Sequence, residues 1–374
     1  MVFSPLSLHF ALSLIASGTK GPCLEQFLSF LKSRSTHHLN SLAHDIVTFV
    51  LANASPDEND IIRGPGPRLS FANGVWVDKS LPFKPDFKHL VDIAYMAALE
   101  EVDFKFNPKQ VSVEVNSWAE KETNGLIKDI LPADVVNSKT VLILANALYF
   151  KAYWAEKFSP SNTEKNDFYL LNGGSVEAVP FMRGYGCWYI GVFEGFKVLK
   201  LAYRNQGVHP RCFSMYFYLP DARDGLPALV EKVCSGSGFL DSHVPHSKLR
   251  VGKMLIPKFK ISSGFEASKV LAGLGLVLPF VYDVKGGNVT EMVESPAGED
   301  PYVKAIFHKS CIEIDEDGTE ASAVTVSVLY GSGGGPPPPP EVDFVADHPF
   351  MFLIKEDSTG AVLFMGHVLN PLDG

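Results

Sequence analysis

The sequence predicts an α+β fold, on three observations. Strand-like and helical segments are interspersed without the regular βαβα rhythm of a doubly wound sheet. Residues 141–150 form an almost unbroken apolar run of strand length, the pattern of a central strand covered on both faces. With 374 residues, 46% of them hydrophobic, the chain is long enough for two domains or for one with a large core.

In chain order, Leu6, Phe10, Leu12 and Leu14 fit a buried helix. The opening stretch is not read as a secretory leader: it has no basic start, Pro5 and His9 interrupt it, and Lys20 follows it. Leu24, Phe27, Leu28 and Leu31 recur at helical spacing and predict one amphipathic helix before Ser35. Residues 57–67 form a Pro/Gly/Asp-rich loop, and 69–77 a strand. A helix around Val115, Trp118 and Lys121 stops near Asn124-Gly125. Strands are expected at 189–192, 197–203, 213–219 and 251–261, with short helices at 226–234 and 265–274. Residues 303–314 read as a strand running into Asp315-Glu316-Asp317-Gly318. Residues 350–355 and 361–369 form a terminal strand pair joined by the turn Asp357-Ser358-Thr359-Gly360.

Composition excludes several functions. The net charge of −9 argues against duplex DNA or an anionic membrane as partner, since phosphate binding needs clustered Lys and Arg. No apolar run reaches the roughly 18 residues of a spanning helix. The five scattered cysteines form no CxxC pair and suggest neither a zinc ribbon nor a disulfide framework. There is no GxSxG, GxxxxGK[ST], HExxH or GxGxxG after a strand. His243 with His246, and His37 with His38, lack further ligands at metal spacing and read as solvated loops. Glu100-Glu101 reads as an exposed pair, not a catalytic dyad. No catalytic residue, cofactor or metal is expected.

The segment after residue 315 carries the strongest signal. At period two, Thr319, Ala321, Ala323, Thr325, Ser327 and Leu329 are small nearly throughout, while Glu320, Ser322, Val324, Val326, Val328 and Tyr330 are larger and partly β-branched. Small side chains on one face let a strand slide into a packed sheet, where one extra methylene is felt. Yet Gly318 and the run GSGGGPPPPP at 331–340 bound the segment and cannot continue a sheet. The pattern suits a segment that is loop in one state and strand in another.

Several ordered motifs then resemble the serpins, specifically the plant Z-type. Glu316-Asp317-Gly318-Thr319-Glu320-Ala321-Ser322-Ala323 is similar to the hinge of inhibitory members, and Phe344-Val345-Ala346-Asp347-His348-Pro349-Phe350-Met351-Phe352 to their C-terminal signature. Phe3-Ser4-Pro5-Leu6-Ser7 resembles the start of the family's second helix, NALYFKAYW at 146–154 the third strand of the main sheet, and Phe307-His308-Lys309 the strand before the loop. Together the motifs span essentially the whole chain.

The resemblance implies a single serpin domain over 1–374: an α+β serpin fold of mixed β-sheets with surrounding helices and an exposed reactive-centre loop at 316–341. It implies a suicide-substrate inhibitor of a serine protease, with cysteine-protease cross-inhibition as a further expectation. Glu316, Gly318, Thr319, Glu320, Ala321, Ser322, Ala323, Val324 and Thr325 would form the hinge, Val324 being bulkier than the alanine common there. Trp154 resembles the breach tryptophan, and Ser4, Ser7, Asn146 and His308 the shutter cluster. Counting the usual loop length forward from Glu316 puts the cleaved bond between Ser332 and Gly333; counting back from Val342-Asp343-Phe344 lands in the proline run. The Leu-Arg of many plant serpins is absent, so trypsin-like targets are not expected, and Tyr330 would suit a chymotrypsin-like pocket. Serpins usually carry a helix before Val2-Phe3-Ser4-Pro5, and its loss would expose apolar surface. A monomer in cytosol or nucleus is expected, although family members also occur outside cells. The alternatives are a non-inhibitory serpin-fold binder, favoured by GSGGGPPPPP, and, more remotely, a hydrolase.

Overall fold

The computed structural model describes residues 1–51, 67–205, 211–236, 238–281, 289–296, 301–319 and 342–373. The chain opens with β1 (Val2–Phe3), α1 (Pro5–Ser17), α2 (Gly21–Phe30) and α3 (Thr36–Ile46). Ser4 caps α1 by accepting from the Ser7 N–H, and Pro5 occupies the first turn, where no N–H is needed. Then come β2 (Arg68–Asp78), α4 (Pro85–Ala94), β3 (Ala98–Val102), α5 (Pro108–Glu122) and β4 (Leu142–Tyr153).

The middle holds β5 (Glu164–Tyr169), β6 (Ser175–Gly184), β7 (Cys187–Phe193), β8 (Phe196–Ala202) and β9 (Phe213–Pro220). After α6 (Leu226–Cys234) and α7 (Phe239–Ser242) follow β10 (Lys248–Pro257), β11 (Phe259–Glu266), α8 (Ala267–Gly273) and β12 (Ala305–Ile314). The chain ends through β13 (Gly318–Thr319), β14 (Val342–Val345), β15 (Phe350–Glu356) and β16 (Val362–Val368). This is the α+β architecture that the unrhythmic order of segments predicts.

Among the described residues two sheets form. The smaller runs β11-β12-β13-β4-β2-β3, and the larger β1-β16-β15-β9-β8-β7-β10-β6-β5, with β14 pairing β10. Strand β4 is covered on both faces, as its composition requires. Leu142, Leu144, Leu148 and Phe150 face the main core with α1, while Ile143, Ala145 and Ala147 face Val111, Val115 and Ala119 of α5. Asn146 is the polar exception on the α1 side.

Four readings are corrected. Residues 251–261 are not one strand: the chain leaves the large sheet at Pro257 and enters the smaller one at Phe259, so Lys258 marks a change of sheet. Pro257 can close a ladder but offers no N–H to extend it. His37 and His38 lie not on a loop but in the first turn of α3, where Ser35 accepts from the His38 N–H as N-cap. His243 is half-buried, its ring stacked 4.1 Å from Phe239, while His246 is exposed. Helix α8 begins at Ala267, two residues later than read, because Phe265 and Glu266 still pair with β12. Helices α3 and α4 and strands β3, β5 and β6 carry no periodic signal strong enough to be read. Residues 57–66 of the loop expected at 57–67 lie outside the described residues.

Candidate functional site

The site is a fork in the smaller sheet. β4 and β12 pair in parallel from Ala305↔Ile143 to Ser310↔Leu148. Beyond that zone β13 stands between them, antiparallel to both: Gly318↔Tyr153 and Thr319↔Ala152 on one side, Ile314↔Thr319 on the other. Gly318 is the residue that makes this possible. Its φ is +154°, and a Cβ there would lie 2.1 Å from the Ala152 carbonyl oxygen and 2.7 Å from the Tyr153 Cα.

The turn from β12 into β13 is gripped from β4. The Trp154 indole Nε1–H donates to the Asp315 carbonyl at 2.9 Å, and its main-chain N–H to the Asp317 carbonyl at 2.9 Å. Asp315 folds the turn on itself, its carboxylate accepting the N–H groups of Asp317 (2.9 Å) and Gly318 (3.2 Å). Burial pushes that carboxyl above its ordinary range. Glu316 points inward to an ion pair with Lys258 at 2.7 Å and a hydrogen bond from Thr163 at 2.6 Å. Burial opposes its charge, but those two partners prevail and hold it below the usual carboxylate value. Lys157 pairs with Asp317 at 2.5 Å.

Lower in the sheet a buried polar cluster joins three strands to a helix. Register places Asn73 of β2, Asn146 of β4 and His308 of β12 side by side. The Asn146 amide donates to the Ser7 carbonyl at 3.3 Å and to Asn73, and its oxygen faces His308 Nδ1 at 2.7 Å. His308 Nε2 takes the Ser4 main-chain N–H at 3.0 Å and lies 2.8 Å from Ser310 Oγ. A main-chain N–H can only donate, so Nε2 is bare and the proton sits on Nδ1, donated to Asn146. Burial holds this imidazole down to about 3.

Of the residues expected to act, the structure therefore brings Trp154, Glu316, Gly318 and Thr319 together at the fork, and Ser4, Ser7, Asn146 and His308 at the cluster. Glu320, Ala321, Ser322, Ala323, Val324, Thr325, Ser332 and Gly333 lie outside the described residues, as does GSGGGPPPPP. Sequence reasoning missed Asn73, Thr163, Tyr203, Lys258, Ser310 and Asp315. A signal existed for Asn73, a lone amide within an apolar strand; Thr163, Tyr203 and Lys258 act through contacts between segments far apart in sequence, and Ser310 and Asp315 through short-range bonds within β12 and the turn after it. Among the described residues no group of three or more His, Cys, Asp or Glu could hold a metal, and no helix is long and apolar enough to cross a membrane.

A sheet forked by the strand that follows it, gripped by a buried tryptophan and pinned below by a histidine–asparagine cluster, defines a class. The chain belongs to the serpin family: the family model described as "Serpin (serine protease inhibitor)" matches residues 1–371. Its relatives include plant serpins of the Z type. Serpin-ZX of Arabidopsis thaliana is 50% identical over 373 residues, covering 100% of this chain and 92% of that protein. Serpin-Z2B of Triticum aestivum is 47% identical over 99% of this chain and 89% of its own length. The native stressed conformation of Arabidopsis AtSerpin1 superposes with a TM-score of 0.87 at 49% identity, covering 100% of this chain and 92% of that one. Uncleaved ovalbumin, at 24% identity and a TM-score of 0.79 over 99% of this chain and 93% of its own, shares the fold. At family level the chain is thus a serine protease inhibitor, and a target protease is the partner the family implies.

Proposed function

We propose that the chain, as a single serpin domain, is a suicide-substrate inhibitor that traps a serine protease by inserting its cleaved loop between β4 and β12. The observation that carries this is the position of Gly318 and Thr319, already paired as the first step of a strand inside the fork. The protease serine oxygen attacks the carbonyl carbon of the residue before the cut, an ester forms, and the new amine leaves with the proton. Taking the cut between Ser332 and Gly333, Ser332 carries the ester. Glu320, Ala321, Ser322, Ala323, Val324 and Thr325 then follow Thr319 into the sheet, and the acyl-enzyme is dragged along before water can release it. In this reading Trp154 and its contacts are the breach that positions the entry, and the His308 cluster is the shutter that must part. None of them performs catalysis.

Incubation with elastase-, chymotrypsin-, trypsin- and papain-like proteases, read on a denaturing gel, tests the proposal. A band at the summed mass supports it, and mass spectrometry of that band locates the bond. The GSGGGPPPPP run favours a second reading, a loop that is cut but does not insert. In that case the cut chain separates without a covalent band and its melting temperature stays put, whereas an inserted strand raises it.

A further inference from the structure

Tyr203 lies on the seam between the two sheets. It follows the last residue of β8, forms an isolated antiparallel bridge with Trp154, and donates its main-chain N–H to the Phe213 carbonyl of β9 at 2.9 Å. Its ring is stacked 4.6 Å from Trp154 at 11° and meets Phe150 edge-on at 5.0 Å. Those contacts leave the side chain no freedom to turn, so its hydroxyl is aimed at one place. That place is occupied by Thr319, whose Oγ1 lies 2.7 Å away, and both residues are buried. Among the described residues the other neighbour of the hydroxyl is the Met215 sulfur at 3.7 Å, a weak acceptor.

We propose that Tyr203 is a positioning residue that keeps the hinge seated at its first strand step and so sets the balance between a seated and an expelled hinge before any protease arrives. With Thr319 in place the phenol has a strong partner; with the hinge expelled it keeps only a sulfur in an apolar wall. Trp154 grips Asp315 and Asp317, which precede the fork, whereas Tyr203 holds the residue already inside it. A net hydrogen bond of this kind shifts such an equilibrium roughly two- to tenfold. The consequence for inhibition rests on the loop-insertion reading above, but seating itself is a property of the uncut chain.

Hydrogen–deuterium exchange on the uncut protein tests it. Tyr203→Phe and Thr319→Val should each speed exchange of the Trp154, Gly318 and Thr319 amides roughly two- to tenfold. Thr319→Ser, which keeps the hydroxyl, should exchange as the parent does. The double variant Tyr203→Phe/Thr319→Val should be no faster than either single change, because both remove one shared bond. Additive effects, an unchanged Tyr203→Phe, or acceleration spread evenly over β2 and β4 would each overturn the proposal. Failure of the insertion reading shows elsewhere: the cut parent protein would gain no thermal stability, whatever the exchange of the uncut one.

Discussion

The main-chain N–H of Ser4 donates to Nε2 of His308 over 3.0 Å, joining positions 304 residues apart. Ser4 also caps α1 through its side chain, so the helix start and the strand β12 are tied through one residue. The bond survives only while Nε2 is unprotonated. His308 is enclosed by Asn146, Ser4, Ser310 and the Phe265 ring, none of which carries a negative charge to welcome a proton.

From this a pH dependence follows. Burial depresses His308 from its ordinary 6.5 to about 3, so between those values the unfolded chain binds the extra proton and the folded one does not. Stability therefore rises with pH across that window and is lost on acidification, at up to about 1.4 kcal/mol per pH unit. Denaturant midpoints measured from pH 7 to pH 4 should fall along that slope, and His308→Gln should flatten it by about one proton. The depressed carboxyl of Glu316 adds a loss below its usual value, which the variant retains. An unflattened slope in His308→Gln would sink the assignment.

Gly318→Ala should expel the hinge. The added carbon has no room beside the Ala152 carbonyl, and the backbone angle is itself unfavourable for a side chain, at roughly 1–3 kcal/mol. The uncut variant should still fold, since the turn at Asp315 lies outside the gap. On cleavage by a matched protease it should yield more free cut chain and less covalent complex than the parent, as gel densitometry would show.

Ser7→Ala should be neutral to stabilising, by up to about 1 kcal/mol. Among the described residues the buried Ser7 hydroxyl has no partner, while its main-chain groups do the binding, donating to Ser4 and accepting from Asn146. A loss above 1 kcal/mol in chemical denaturation would show that the hydroxyl does have a role in the cluster.

Lys258→Met should cost about 1.5–3 kcal/mol, the range for a lost hydrogen bond to a charged group. Methionine preserves the side-chain stem, but Glu316, only 8% exposed, is left with Thr163 as its side-chain donor. The double variant Lys258→Met/Glu316→Gln should recover part of the loss, because no unpaired charge remains. Thermal melts of the parent and the two variants decide it.

The α+β class, the doubly covered strand around Asn146 and the terminal hairpin were legible from local pattern, because burial on one or two faces writes itself into residue period. The cluster's members Ser4, Ser7, Asn146 and His308 were reached by resemblance to the serpins, not by period. Asn73 stood out as a lone amide in an apolar strand, but its partner is set by the β2–β4 register, which no local spacing encodes. Lys258 and Tyr203 stayed hidden for a related reason: Lys258 sits where the chain passes from one sheet to the other, Tyr203 reaches across the seam from the end of β8, and a single sequence does not say which sheet a strand joins or faces.

The orientation of the strands at the fork has one more consequence. β4 and β12 run the same way, and the chain that enters between them runs the opposite way to both. On the proposed reading, every step of entry replaces one slanted parallel ladder with two perpendicular antiparallel ones, the more stable arrangement per residue. The exchange is one-directional: a strand that has gone in leaves only by surrendering two ladders to regain one. A molecule built this way is single-use, and its supply must be matched to the number of proteases it meets.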